Sequence, residues 1–197
     1  MPSKHWKNRA NRAKQRLVKP VELYSHPDGP EPKSVDKIRG SIRRPDPHQL
    51  VLTYEVHDPD EKLIIPEGTG MRRDDLWRET CFEFFLGRAS GDDYREFNFS
   101  PGGDWAAYEF DRYRQGQRHH LMPADPVIKC TRDGDMLTVE ATITLADMPE
   151  NGSCQLAAVI DERDRAQVHW AALHAPNKPD FHDRLSFAVP YPKLEAA

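Results

Sequence analysis

The chain has 197 residues, 38% of them hydrophobic, with 17 Pro, 11 Gly, 3 Cys and a formal net charge of −4. That is enough for one domain with a sizeable core and too little for two, and no apolar run approaches the roughly 20 residues of a membrane helix. The start, MPSKHWKNRANRAKQRLVKP, lacks the apolar stretch of a secretory signal, and three widely spaced Cys fit reduced thiols, so a cytoplasmic protein is expected.

Charge is unevenly spread. Residues 1–19 hold seven Lys or Arg and no acid, which leaves 21 basic against 32 acidic side chains for the rest. An acidic body is a poor match for nucleic acid, which residues 1–19 alone are composed to attract. With Trp6 and Leu17 as its only large apolar groups, the segment 1–20 reads as a basic extension, helical or disordered. Residues 21–192 then read as one domain and 193–197 as a short tail.

From Val21 onward the signals are short strands. VELYSHP is a strand closed by Pro27, Gly29, Pro30 and Pro32, and residues 35–43 alternate weakly as an edge strand would. In QLVLTYEVHD, Leu50, Leu52, Tyr54 and Val56 face one way while Val51, Thr53, Glu55 and His57 face the other. KLIIPEGTGMRRDD is a connection that delivers the chain to Trp77.

The stretch 73–114 holds two of the four Trp and three of the six Tyr, and three runs in it have period two with aromatic enrichment. Over 79–86, Thr80, Phe82, Phe84 and Leu86 oppose Glu79, Cys81, Glu83 and Phe85. Over 94–100, Arg95, Phe97 and Phe99 oppose Tyr94, Glu96 and Asn98. Over 104–113, Trp105, Ala107 and Glu109 oppose Ala106, Tyr108 and Phe110. The joints RASGDD and SPGGD have turn compositions, so three adjacent antiparallel strands are expected. One face packs inward; the other mixes acids, an amide and rings.

A loop over 115–126 leads to two alternating runs around Asp133-Gly134-Asp135, a hairpin signal. CQLAAVIDER and QVHWAALHAP are further strands, NKPDFHDRL is a Pro-interrupted loop and SFAVPY a last strand. Ten to twelve short strands with no convincing interior helix specify an all-β fold, an antiparallel β-sandwich or barrel.

LWRETCFEFFLG, then YREFNFSPGGDWAAYEFDRYR, then VHWAALHAPNKPDFHDRLSF resemble the bacterial DOMON-like domains related to family 9 carbohydrate-binding modules. The resemblance spans roughly 21–190. It implies a β-sandwich of two antiparallel sheets and a ligand-binding role, with sugars or haem as the ligands of the wider superfamily. Trp77, Glu83, Tyr94, Asn98 and Trp105 match the carbohydrate-module pattern. The chain departs from it in lacking a secretion signal, and it shows no Met and His pair at matching positions for haem.

Sugar recognition needs flat apolar rings for C–H faces and planar donors and acceptors for hydroxyls. Glu83, Glu96 and Asn98 are expected on one polar face, with Trp77, Trp105 or Tyr108 at its rim. Glu79, Tyr94, Arg114, Trp170 and His174 complete the candidate ligand-binding set. The competing account makes the rings core and pairs the acids with Arg78, Arg95, Arg112 or Arg114. No catalytic residue and no cofactor is expected, and the partner is a small molecule, most simply a saccharide. The alternatives are a carboxylate-dependent hydrolase using Glu83 with Glu96, a divalent metal on His169, His174 and His182, and haem. Neither a C-x-x-C nor an H-E-x-x-H spacing occurs, and SPGGD lacks the Lys and following helix of a phosphate loop.

Overall fold

Alternating apolar and polar residues become two-faced strands throughout the chain. The computed structural model describes residues 19–163 and 167–196; the basic extension expected over 1–20 falls almost wholly outside the described residues. Twelve strands occur among them: β1 (Val21–Ser25), β2 (Lys37–Asp46), β3 (Gln49–His57), β4 (Cys81–Arg88), β5 (Tyr94–Phe99), β6 (Trp105–Phe110), β7 (Arg118–His119), β8 (Val127–Asp133), β9 (Met136–Thr144), β10 (Gly152–Ile160), β11 (Val168–Ala171) and β12 (Val189–Pro190). Helical structure there is limited to two 3-10 turns, Leu76–Arg78 and Arg184–Ser186.

The strands pair antiparallel in two sheets. The first runs β1-β2-β3-β9-β8 and the second β7-β6-β5-β4-β10-β11, with β12 added to β10. β1 joins them: Val21 to Leu23 pair with β2, while Tyr24 and Ser25 pair with β11. Leu50, Leu52, Tyr54 and Val56 of β3 and Phe82, Phe84 and Leu86 of β4 enter one core between the sheets. The Tyr54 hydroxyl donates to the Glu83 carbonyl oxygen at 2.8 Å, tying one sheet to the other. Each such ring or branched side chain contributes about 1.5–3 kcal/mol on burial, and the result is the expected β-sandwich.

Three expectations need correction. The edge strand expected over 35–43 is interior, because β2 lies between β1 and β3. Its side facing the second sheet is Ile38, Gly40 and Ile42, and a Cβ on Gly40 would stand 2.7 Å from Leu156 Cδ1. The run over 104–113 stops as a strand at Phe110, where the Gln115 N–H closes a turn on the Arg112 carbonyl and Arg114 takes a left-handed φ of 51°. SFAVPY pairs only at Val189 and Pro190, because Asp183 accepts from the Leu185 N–H and starts a 3-10 turn instead. The hairpin at Asp133-Gly134-Asp135 forms with Asp133 opposite Met136 and Gly134 at φ 55°.

The second sheet is covered on both faces. Its outer face carries a separate apolar cluster in which Phe85, Tyr94, Tyr108 and Phe110 meet Phe181 and Phe187. The segment that follows β11 therefore folds back over β4, β5 and β6 and leaves part of them open.

Candidate functional site

Register decides what stands on that outer face. Glu83 of β4 lies opposite Asn98 of β5, which lies opposite Ala106 of β6; Glu96 lies between Phe85 and Tyr108. Strand alternation thus puts two carboxyls and an amide beside the rings of Tyr108 and Phe110. Above them is a cavity of ≈ 460 Å³ floored by Glu83 and Glu96 and walled by Tyr108, Phe110, Phe181 and His182. Val159 of β10 and His169 of β11 extend the floor, while Trp77, Asp75, Arg114, Gln117 and Pro179 complete the lining.

Trp77 reaches the rim through a braced connection. Asp104 accepts from the Thr69 N–H at 2.7 Å and the Met71 N–H at 3.3 Å, and from Arg73 Nε at 3.0 Å. Gly68 passes so close to Gly102 that a Cβ there would lie 2.3 Å from its carbonyl oxygen. The chain then makes its 3-10 turn with Leu76 buried beneath it. The Trp77 ring is left 48% exposed, with the Arg78 guanidinium 5.2 Å from its centroid.

The opposite wall is pinned by Asp180. Its carboxylate accepts from Arg114 Nη2 at 2.9 Å, the Tyr113 hydroxyl at 2.6 Å and the His182 N–H at 3.1 Å. Against the cost of burial, the hydrogen bonds from Tyr113 and Arg114 hold this carboxyl below its ordinary range. The left-handed Arg114 aims its N–H at the Tyr94 oxygen, 3.1 Å away. The Tyr94 hydroxyl is 2.8 Å from His182 Nδ1. With its oxygen accepting from Arg114, the phenol donates to Nδ1, so neutral His182 carries its proton on Nε2, 3.7 Å from Glu96 Oε2. Burial, then the nearby Arg114 charge, lowers His182 to about 4.

The two acids stand in an unusual position. Glu83 is 3% exposed and Glu96 6%. Glu96 Oε1 accepts from Asn98 Nδ2 at 2.7 Å; no donor among the described residues reaches the Glu83 carboxyl. Burial raises Glu96 to about 7, with Asn98 and Arg114 pulling the other way. Glu83 is raised well above the ordinary carboxyl range by burial and then by Glu96. At neutral pH the pair therefore retains a proton, because two anions this deeply buried cannot both form.

Of the residues singled out from sequence, the structure brings together Trp77, Glu83, Glu96, Tyr108 and Arg114 at the cavity. Asn98 and Tyr94 stand behind the lining, holding Glu96 and His182. Glu79 is outside it, ion-paired to Arg73 at 2.8 Å. Trp105 and Trp170 do not belong to the site: both rings are in the core between the sheets. Trp105, opposite Phe99, shares that strand's inner face and packs under the Arg72 guanidinium at 4.2 Å. His174 is also turned away, its Nε2 2.7 Å from the Tyr24 carbonyl and its ring 4.8 Å from that of His26. His169, His174 and His182 do not converge, and no group of three metal-ligating side chains gathers among the described residues.

Residues that sequence reasoning missed are Asp75, Phe110, Gln117, Val159, Pro179 and Phe181. Phe110 was legible from its alternation with Tyr108. The others come from segments far apart in the chain and carry no local signal.

No protein-family model matches the chain, and no curated protein matches it. Among solved structures it is similar to a protein from Bacteroides uniformis that is provisionally assigned as carbohydrate-binding. The TM-score is 0.58 and the identity 13%, covering 86% of this chain and 83% of that one. Two structures of a family 9 carbohydrate-binding module from Caldicellulosiruptor kristjanssonii, in complex with cellotriose and with glucose, align at TM-scores of 0.48 and 0.46. Their identities are 13% and 15%, over 87% and 86% of this chain and 76% and 78% of theirs. At 13% identity the likeness to the Bacteroides uniformis protein is one of fold alone.

Proposed function

We propose that the protein is a non-catalytic binding module that holds a saccharide or sugar-like small molecule in the cavity over β4, β5 and β6. One observation carries this: an open cavity of ≈ 460 Å³ whose lining includes both an exposed Trp and a buried carboxyl with no hydrogen-bond donor among the described residues. The volume lies in the usual range for small-molecule sites, roughly 300–1,000 Å³. The Trp77, Tyr108 and Phe110 rings supply flat apolar surface for C–H faces, while Glu83, Glu96 and Arg114 supply directional groups for hydroxyls. The shared sandwich fold adds analogy and no more.

Trp77 also provides the test. Trp105 and Trp170 lie in the core, so a sugar entering the cavity shifts the emission of Trp77, and Trp77→Ala abolishes that shift while the far-UV circular dichroism is unchanged. A broad glycan and nucleotide-sugar screen without a hit on well-folded protein would refute the assignment. Aryl-glycoside turnover lost in both Glu83→Gln and Glu96→Gln would replace the binding module by a hydrolase.

A further inference from the structure

The floor of the cavity is rich in acceptors, and its donors stand in the walls: the His182 Nε2–H, 3.7 Å from Glu96 Oε2, the Gln117 amide and Arg114. Glu83 has no donor among the described residues, and Glu96 has the single one from Asn98. That donation fixes the Asn98 amide and leaves its Oδ1 buried with no partner among the described residues. The hydroxyl protons nearby are committed elsewhere: Tyr94 to His182, Tyr108 to Asp74 at 2.6 Å and Tyr113 to Asp180. Arg114, the one cation lining the cavity among the described residues, is half exposed and already ion-paired with Asp180. Asp75 adds an acid to the lining, and Asp74 sits just behind Tyr108.

We propose that the bound saccharide is an amino sugar, whose protonated amine seats against Glu83 and Glu96. This deepens the saccharide reading and rests on it. An ammonium has three donors and no acceptor, which is the complement of two carboxylates; a hydroxyl, which both donates and accepts, is met by the proton-holding pair but gains nothing from its ionisation. The rings of Tyr108, Phe110 and Trp77 add attraction for a cation at their faces. The ligand charge also meets the unpartnered Glu83, whose ionisation is otherwise opposed by burial.

Binding then draws a proton off the acid pair, so affinity rises with pH. Two of the other titratable groups facing the pair, His182 and Tyr94, titrate outside pH 5 to 7, and Arg114, raised despite its burial by the ion pair with Asp180, keeps its charge throughout. His182 is lowered to about 4, Tyr94 is pushed to about 12, His169 is held below its ordinary value and Asp180 is held low. Tyr108 is raised and Asp74 lowered, which moves both further from the window.

Titration calorimetry with D-glucosamine, D-glucose and N-acetyl-D-glucosamine tests this on the full chain. At pH 7 glucosamine binds about tenfold tighter than glucose, the worth of one charge-assisted hydrogen bond, and acetylation removes the advantage. At pH 5 the preference shrinks to about threefold or less, because the acids are protonated. Glu83→Gln, a close match in shape to the protonated acid, removes the preference for glucosamine over glucose. Equal, pH-independent affinities for glucosamine and glucose overturn the amine assignment and leave the saccharide site standing. An absence of binding by all three sugars on folded protein overturns both. The comparison on unsubstituted protein stands even if Glu83→Gln does not fold.

Discussion

Replacing Glu96 by Gln isolates what the buried carboxyl does to the fold. Glu96 ionises at about 7 in the folded protein against an ordinary 4.5, a difference worth about 3 kcal/mol. The sign follows from linkage. Below about pH 4.5 the group is protonated in both states and costs nothing. As pH rises toward 7 the unfolded chain releases its proton and the folded protein does not, so stability falls; above about 7 the loss is complete. Gln matches the protonated acid in shape, still accepts from Asn98 Nδ2, and never ionises. Glu96→Gln is therefore near neutral at pH 5 and stabilising by up to about 3 kcal/mol at pH 8. Urea unfolding followed by circular dichroism at the two pH values reads this directly. Acids lowered by their partners, such as Asp58 and Asp104, make the opposite contribution below the window, and the difference between variant and parent cancels them. An advantage of Glu96→Gln that is the same at pH 5 and pH 8 to within about 0.5 kcal/mol, the measurement noise of such extrapolations, would refute the assignment of a buried, proton-holding pair.

Glu162 is buried and accepts from the Lys33, Ser34 and Val35 N–H groups at 2.8 Å each, so Glu162→Ala strands three donors and costs about 3 kcal/mol or more, seen as a lowered urea midpoint. Asp180→Ala releases Arg114, Tyr113 and the His182 N–H together. Its expected cost is about 1–3 kcal/mol, with faster hydrogen exchange confined to the 176–187 wall, and an unchanged exchange pattern there would show that Asp180 is not the pin. Trp105→Ala opens a cavity in the core between the sheets and costs about 3–5 kcal/mol. It is expected to lower stability while leaving a ligand-induced Trp77 emission shift in whatever protein remains folded; selective loss of the shift at full stability would return Trp105 to the site.

The strands were legible because their signal is local. A side chain's face follows from its position in an alternating run, so the separation of Phe82, Phe84 and Leu86 from Cys81, Glu83 and Phe85 could be read in one line of sequence. Trp105 shows where that ends. Its parity relative to Tyr108 was plain, but whether it lay on the core side depended on its pairing opposite Phe99, and register is a relation between two strands. The interior position of β2 was hidden for a similar reason: its weak alternation reflects Gly40 yielding space to Leu156 from the other sheet.

The amino-acid order alone was enough for an antiparallel all-β sandwich or barrel and for a cluster of acids and rings on one strand face, since both depend on a two-residue period and on turn chemistry at the joints. Folding in three dimensions settled that the acids lie under a cavity instead of in solvent. Its walls come from residues about seventy to a hundred positions away in the chain, Asp180 to His182 closing over Glu83 and Tyr94 with Arg114 between them. The depressed His182 and the proton-holding Glu96 arise from that closure, because desolvation and proximity are properties of packing that no local pattern encodes.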